Sequence, residues 1–223
     1  SYQKAAELLL GSSYTVCFSG AGISVESGIP PFRGEDGLWS KYNPNILDLD
    51  RFYASPAPSW KVIKEVFYDF FGSAKPNKAH KILGKLEQEN LLKEIITQNI
   101  DNLHQEGGAK VVHEFHGNSQ RLKCTKCGRE YTPDDDILAE LPPKCTCGGV
   151  LKPDFIFFGE MMQQDDLKAS YYAAEHADVF IIVLSENSVK KPWVREELDA
   201  GLIKRIEEEY KIIPIVIDNC SVP

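Results

Sequence analysis

Apolar positions along the chain fall into two kinds of run. Short β-rich stretches occur at 14–19 (YTVCFS), 92–97, 111–115, 178–184 (DVFIIVL) and 211–217. The clearest of them, 178–184, is continuously apolar rather than alternating, which is the pattern of a strand covered on both faces. Between the runs lie segments of helical character at 5–10, 59–71, 77–89, 166–175 and 192–210. The last carries Pro192 in its first turn and Val194, Leu198, Leu202 and Ile206 along one face. Strands alternating with helices predict an α/β fold, a doubly wound parallel sheet of Rossmann-like form. Two segments do not fit the alternation. Residues 20–45 are rich in Gly, Pro and Ser, and a compact domain rarely keeps such a stretch without a use for it. Residues 121–151 are polar and cysteine-bearing, and read as a small inserted module. The expected division is therefore one sheet-bearing unit, 1–120 with 152–223, interrupted by a module at 121–151.

Composition narrows the function classes. With 43% hydrophobic and 26% charged residues over 223 positions, the chain has material for a real core. The formal net charge of -8 argues against phosphate-backbone binding, so no nucleic-acid partner is expected. No apolar run is long enough for a bilayer helix, so no membrane partner is expected. Residues 1–10 lack a basic region followed by a cleavage site, and the expected location is cytoplasmic. Of six cysteines, Cys17 and Cys220 stand alone, while Cys124, Cys127, Cys145 and Cys147 cluster. Cys-x-x-Cys followed by Gly128, and Cys-x-Cys followed by Gly148 and Gly149, each offer two thiolates from one tight turn. Together they read as a structural zinc site with no open position for water.

Three segments carry candidate chemistry, each at a predicted strand end, where open α/β sheets bind ligands. The first reads Gly20-Ala21-Gly22-Ile-Ser through Gly28-Ile29-Pro-Pro-Phe32-Arg33. Its backbone N–H groups suit phosphates and Arg33 suits a bidentate clamp, although an ordinary surface loop has a similar composition. The dehydrogenase fingerprint needs a third glycine where Val25 stands, so hydride transfer is not implied. The second is Thr97-Gln98-Asn99-Ile100-Asp101-Asn-Leu-His104; taken alone, Asp101 is also a reasonable helix N-cap. The third is His113-Glu-Phe-His116-Gly117, in which a histidine can serve as a base near neutral pH or simply be structural.

Taken together, these segments resemble the sirtuins. The matching stretches are GAGIS with SGIPPFR, TQNIDNLH, EFHGN, the paired cysteines and KPDFIFFGE at 152–160, in the family's order. The resemblance implies an NAD-dependent protein-lysine deacetylase acting on an acetylated lysine peptide, with a Rossmann-like NAD-binding unit and structural zinc on Cys124, Cys127, Cys145 and Cys147. Gly20, Ala21, Gly22, Ile29, Phe32 and Arg33 would line the NAD loop. Gln98, Asn99, Ile100 and Asp101 would hold the nicotinamide and its ribose. His116 would be the general base, with Asn99 and Asp101 completing the catalytic set. Ile156, Phe157, Phe158 and Gly159 would cover the acyl-lysine tunnel and pair with the peptide. The implied reaction moves the acetyl group to ADP-ribose as nicotinamide leaves. Members that favour acidic acyl groups carry Tyr-x-x-Arg in the helix after the cofactor loop; here Tyr68 is followed by Phe71, which implies acetyl rather than succinyl.

From 177 onward a second resemblance competes. The apolar strand, Ser185-x-Asn-Ser188, Trp193-Val-x-x-Glu197 and KIIPIVID are similar to the later part of a TIR domain, in which a glutamate at the place of Glu197 cleaves NAD. A sirtuin is expected to turn through a Gly-Ser/Thr-Ser segment where Ser185 and Glu186 stand. The alternatives left by the tail are a TIR-type NAD hydrolase using Glu197, and an NAD-binding protein with little turnover.

Overall fold

The computed structural model of the chain describes residues 2–33, 37–184 and 211–216. Helix α1 (Tyr2–Gly11) leads into β1 (Thr15–Ser19), whose residues are almost wholly buried. A 3-10 helix, Ala21–Ser27, follows directly. The rest of the predicted Gly/Pro-rich segment is not one open loop. It winds into α2 (Leu38–Lys41) and the start of a 3-10 turn (Pro44–Leu47), after which α3 (Leu49–Ala54) follows; the 3-10 turn and α3 are each opened by a capping side chain. The Asn43 and Asp48 side chains accept backbone N–H groups from Asn45 and Arg51.

The predicted helix 59–71 is broken into α4 (Pro56–Ile63), a π-helical stretch (Lys64–Phe70) and a 3-10 turn (Phe71–Ser73). The wider turn lets Tyr68 stack on Trp60 while Phe67 and Phe71 enter the same core. After α5 (Lys78–Gln88) come β2 (Glu94–Thr97), α6 (Leu103–Glu106) and β3 (Val112–Glu114). Strands β4 (Gly117–Cys124), β5 (Glu130–Tyr131) and β6 (Leu151–Phe155) form a separate antiparallel sheet in the order β5-β4-β6. The chain then returns through α7 (Gln164–His176) to β7 (Val179–Leu184), and β8 (Lys211–Val216) closes the edge.

The main sheet runs β3-β2-β1-β7-β8 with every neighbouring pair parallel. Alternate residues leave its two faces. Cys17, Ile95 and Ile181 join Leu83 and Leu92 under α1 and α5, whereas Val16, Ile96 and Phe180 pack on Ala173 and Ala174 of α7. This is the doubly wound arrangement expected from the run pattern, with the predicted final strand in place. A third cluster holds α4 and the π-helical stretch against the small sheet, around Trp60, Phe67, Leu122, Leu151 and Phe155. The small sheet reaches from Gly117 to Phe155, so its two long strands extend beyond the expected 121–151 boundaries. Helix 192–210, with Glu197, and the turn at Ser185 and Glu186 lie outside the described residues.

Candidate active site and metal centre

The order β3-β2-β1-β7 reverses direction between β1 and β7, and an open sheet presents its ligand crevice at such a switch point, beyond the carboxyl ends of the strands. Gly20 follows the end of β1, Gln98 the end of β2 and Phe115–His116 the end of β3, so three segments far apart in sequence meet there.

The first loop is a helix start. The Ile23 N–H donates to Gly20 O at 3.2 Å, and Ala21 and Gly22 form the first 3-10 turn. Gly28 ends it at φ 89, a left-handed conformation that favours glycine, and the Ile29 N–H returns to Ser24 O at 3.2 Å. Beyond it, Ile29 is buried, Phe32 lies against Trp39 and Phe67, and Arg33 is exposed.

The centre of the site is a triangle of side chains. Ser24 Oγ donates to Asp101 Oδ2 at 2.6 Å, and Asn99 Nδ2 donates to Ser24 Oγ at 3.1 Å. Asp101 Oδ1 accepts the Leu103 N–H at 3.0 Å. The N-cap position of α6 is Asn102, at φ 63, so Asp101 caps the first turn from one residue earlier than its expected place. Burial pushes the Asp101 carboxyl above the usual range, opposed by the Ser24 hydroxyl and the Leu103 N–H. Ile100 is buried, and its carbonyl accepts both the N–H and the hydroxyl of Ser119, at 2.9 and 2.8 Å.

His116 joins this group through its ring. Its Nδ1 lies 3.0 Å from Gln98 O. A carbonyl only accepts, so the Nδ1 position carries the proton and the lone pair of the neutral ring sits on Nε2. The ring is thereby bonded to the carbonyl immediately before Asn99.

The 156–159 segment runs beside it. The Ile156 N–H donates to His116 O at 2.8 Å, and Phe158 exchanges backbone bonds with Leu47 and Leu49 at 2.8 and 3.0 Å. Gly159 sits at φ 85. The two phenylalanines differ in fate. Phe158 is exposed beside Trp39, whereas Phe157 is buried between Phe52 and Phe155 and contributes to the core. Beneath them lies Lys152, a buried lysine whose Nζ reaches Glu160 Oε2 and Phe155 O, both at 2.8 Å, and stands 4.2 Å from the Phe157 ring centre. Glu160 Oε2 also accepts the Phe157 N–H at 2.8 Å, so the lysine and glutamate brace the segment from inside.

The four clustered cysteines meet. Their Sγ atoms all lie within 4.8 Å of one another. Three of the contacts are 3.5 Å (Cys124–Cys147), 3.5 Å (Cys147–Cys127) and 3.7 Å (Cys127–Cys145). Zn–S bonds of about 2.3 Å at tetrahedral angles place sulfurs about 3.8 Å apart, so the donor set fits zinc closely. The Cys147 N–H and the Tyr131 hydroxyl, both turned towards Cys145 Sγ, push that thiol down, while Cys147, despite the Gly149 N–H, is pushed up by the three neighbouring sulfurs. At Gly149 an added Cβ would come within 2.6 Å of Cys124 Sγ and 2.7 Å of Lys126 Cβ, so the second knuckle needs a glycine there.

Ser24, the Lys152–Glu160 brace and a buried polar row (Ser19, Thr97 and His104) were not singled out as site residues from the sequence. Ser24 lies within the GAGIS stretch itself; its partners are 75 and 77 residues away, a separation that no local pattern encodes.

Comparison with known proteins gives the family of the chain. The Sir2 family model matches residues 20–191. An NAD-dependent protein deacylase of Pyrococcus abyssi is 39% identical over 221 residues, covering 94% of this chain and 88% of that protein. One from Aeropyrum pernix is 42% identical over 210 residues, covering 90% of this chain and 83% of its own length. A solved structure of a Sir2 with a p53 peptide and NAD+ superposes with a TM-score of 0.80 at 34% identity, covering 98% of this chain and 88% of that one. The chain, with its doubly wound sheet and four-cysteine centre, belongs to the Sir2 family.

Proposed function

We propose that this chain is an NAD-dependent protein-lysine deacetylase that transfers the acetyl group to ADP-ribose and releases nicotinamide. The observation that carries the reading is the buried Ser24–Asn99–Asp101 triangle with the His116 ring bonded to Gln98 O beside it. Bound NAD supplies a glycosidic bond to nicotinamide whose loss leaves an electrophilic ribose carbon for the acetyl oxygen.

The remaining chemistry falls to side chains. Gly20, Ala21, Gly22, Ile29, Phe32 and Arg33 line the cofactor loop, with the 3-10 helix presenting N–H groups to phosphate. Gln98, Asn99, Ile100 and Asp101 hold the nicotinamide and its ribose, and the buried Ile100 keeps water from the leaving group's side. His116 accepts a ribose hydroxyl proton at Nε2, with Nδ1–H anchored on Gln98 O so that the ring need not rotate to act. Ile156, Phe158 and Gly159 face the peptide, and Phe157 supports them from the core. Holding two substrates in line accounts for much of the rate. The parallel sheet forms the NAD-binding unit, and the small sheet from Gly117 to Phe155 carries a zinc module in which Cys124, Cys127, Cys145 and Cys147 hold one structural ion. Four thiolates need a reducing surrounding, which supports a cytoplasmic setting. Among the described residues no helix is long and apolar enough to cross a membrane.

Acyl preference follows from the π-helical stretch. Tyr68 donates its hydroxyl to Ser119 O at 2.9 Å, and Phe71 is buried against Phe67. A second acyl carboxylate would meet no arginine at Phe71, so acetyl-lysine is the favoured substrate and succinyl-lysine should react at least about tenfold more slowly.

His116→Ala tests the assignment. Deacetylation should fall by about two to four orders of magnitude, while NAD still binds. A variant that deacetylates like the parent overturns the choice of base.

A further inference from the structure

Behind the site, away from the crevice, lie two histidines to which the proposed mechanism assigns no role. His80 on α5 is fully buried and His104 on α6 nearly so, with ring centroids 5.0 Å apart at 70°. The helices approach closely because two positions lack side chains. A Cβ on Gly84 would come within 2.6 Å of Gly107 O, and one on Gly107 within 2.9 Å of His80 Cβ. The two rings are therefore held together by backbone, not by chance contact.

The surroundings fix which nitrogen of each ring carries its proton. At His80, Nδ1 accepts the Asn77 N–H at 3.3 Å, which leaves the proton on Nε2. At His104, Nε2 lies 2.8 Å from Ser19 Oγ, and Ser19 Oγ donates its own proton to Thr97 Oγ1 at 3.0 Å. Ser19 thus accepts from His104 Nε2–H, and His104 Nδ1 keeps a lone pair. The two remaining nitrogens, a donor at His80 Nε2 and an acceptor at His104 Nδ1, are both buried without a hydrogen-bond partner among the described residues. The two rings meet edge to face, with no hydrogen bond between them. Burial lowers both imidazoles, His80 to about 4 and His104 to about 3, so the pair is neutral at physiological pH.

Both ends of this pair lead to the cofactor site. From His104 the row continues through Ser19 and Thr97, and Thr97 Oγ1 accepts the backbone N–H of Asn99 at 3.1 Å. From His80 it continues through Asn77, whose Nδ2 donates to Ile23 O at 2.7 Å, beside Ser24. Asn99 and Ser24 are the two residues bonded to each other at the centre of the site.

We propose that His104, held in its Nε2–H tautomer by Ser19, is a positioning residue that sets Asn99 against the nicotinamide ribose through Ser19 and Thr97. It touches neither substrate. It acts by denying Ser19 and Thr97 any other hydrogen-bond direction, which keeps the Asn99 backbone in one place. The inference rests on the deacetylase reading for the identity of the ribose, but the tautomers and the row do not.

The test uses the full chain with zinc bound. His104→Phe keeps the ring volume and removes the Nε2–H; His104→Gln keeps a donor that can reach Ser19 Oγ. With matched peptide saturation, His104→Phe should lower kcat/KM for NAD by about tenfold or more, as a small misplacement does, while KM for peptide stays within about twofold. His104→Gln should recover most of the loss, a rescue that a purely volumetric role would not give. In the parent, ¹⁵N imidazole resonances should show protonated Nε2 and unprotonated Nδ1 at both rings, and Ser19→Ala should turn His104 into a tautomer mixture. A folded His104→Phe with parental kcat/KM for NAD, a Gln variant no better than Phe, or an Nδ1–H His104 in the parent overturns the proposal. If the parent shows no deacetylation, the function reading fails by itself; the tautomers and the NAD affinity of the two variants, measured by calorimetry, then decide the positioning role.

Discussion

At Asp101, two opposed effects act on one carboxyl: burial favours the neutral acid, and two donors favour the carboxylate. The Ser24 hydroxyl serves both Asp101 and Asn99, so its removal takes a partner from each at once, leaving Asp101 with the Leu103 N–H. Ser24→Ala should cost about 1–3 kcal/mol of stability and lower deacetylation more than tenfold, read by urea midpoint and steady-state rate. An unchanged rate would mean that Asn99 and Asp101 hold their positions without it. The two buried histidines make a different prediction. Their folded-state values lie below the unfolded value of about 6.5, so their contribution to stability is present above that pH and is lost as pH falls towards about 4. Each proton taken up on unfolding adds about 1.4 kcal/mol of lost stability per pH unit in that window. Denaturation at pH 7, 6 and 5 should show the slope, and His80→Phe with His104→Phe should flatten it. At this scale the sequence spoke clearly where chemistry was local. Asn99, Asp101 and His116 stand in short polar stretches after strands. Nothing local marks His80 or the brace made by Lys152, because burial makes them unusual and burial is set by distant partners.

Among the elements, strands were the most legible. Every predicted strand is present within a residue or two, because a β-rich apolar run covered on both faces has few other uses. Helix 59–71 was less legible: its apolar positions suited a regular helix, yet Trp60, Tyr68 and Phe71 reach their partners only through the π-helical turn. The cysteine module was legible in its ligands and not in its extent, since β4 and β6 carry ordinary strand residues past the cysteines. The metal prediction belongs here. Freshly purified protein should hold about one zinc per chain, and Gly149→Ala should lower that content, since the new Cβ displaces Cys124 Sγ or Lys126. Metal analysis by mass spectrometry checks both, and full zinc in the variant would show that the knuckle can shift.

For the whole molecule, the sheet order decides which tail reading the chemistry can use. Strand β8 pairs with β7 in full parallel register, from Val179 with Lys211 to Leu184 with Val216, so the tail completes the sheet that bears the site. A TIR-type centre at Glu197 would need the front half of that domain, and the residues before 177 instead carry the Sir2 match from residue 20. Glu197→Ala should therefore leave peptide-dependent NAD cleavage within about twofold of the parent. Cleavage lost in that variant and kept in His116→Ala would reverse the assignment of the activity.

Strands β4 and β6 have a further consequence. One end of each carries or adjoins the cysteine knuckles, at Cys124 and Leu151; the other meets the site, at Gly117 next to His116 and at Phe155 next to Ile156. Their ladder partners are each other and β5, and two amides bond outside the small sheet, Ser119 to Ile100 O and Leu151 to Pro143 O. In hydrogen–deuterium exchange this hairpin should behave as one opening unit, separate from β1, β2 and β7. A chelator should then speed exchange from Gly117 to Phe155 together, while the parallel sheet keeps its slow amides. The chain would lose the placement of His116 and of the 156–159 segment long before it lost its fold.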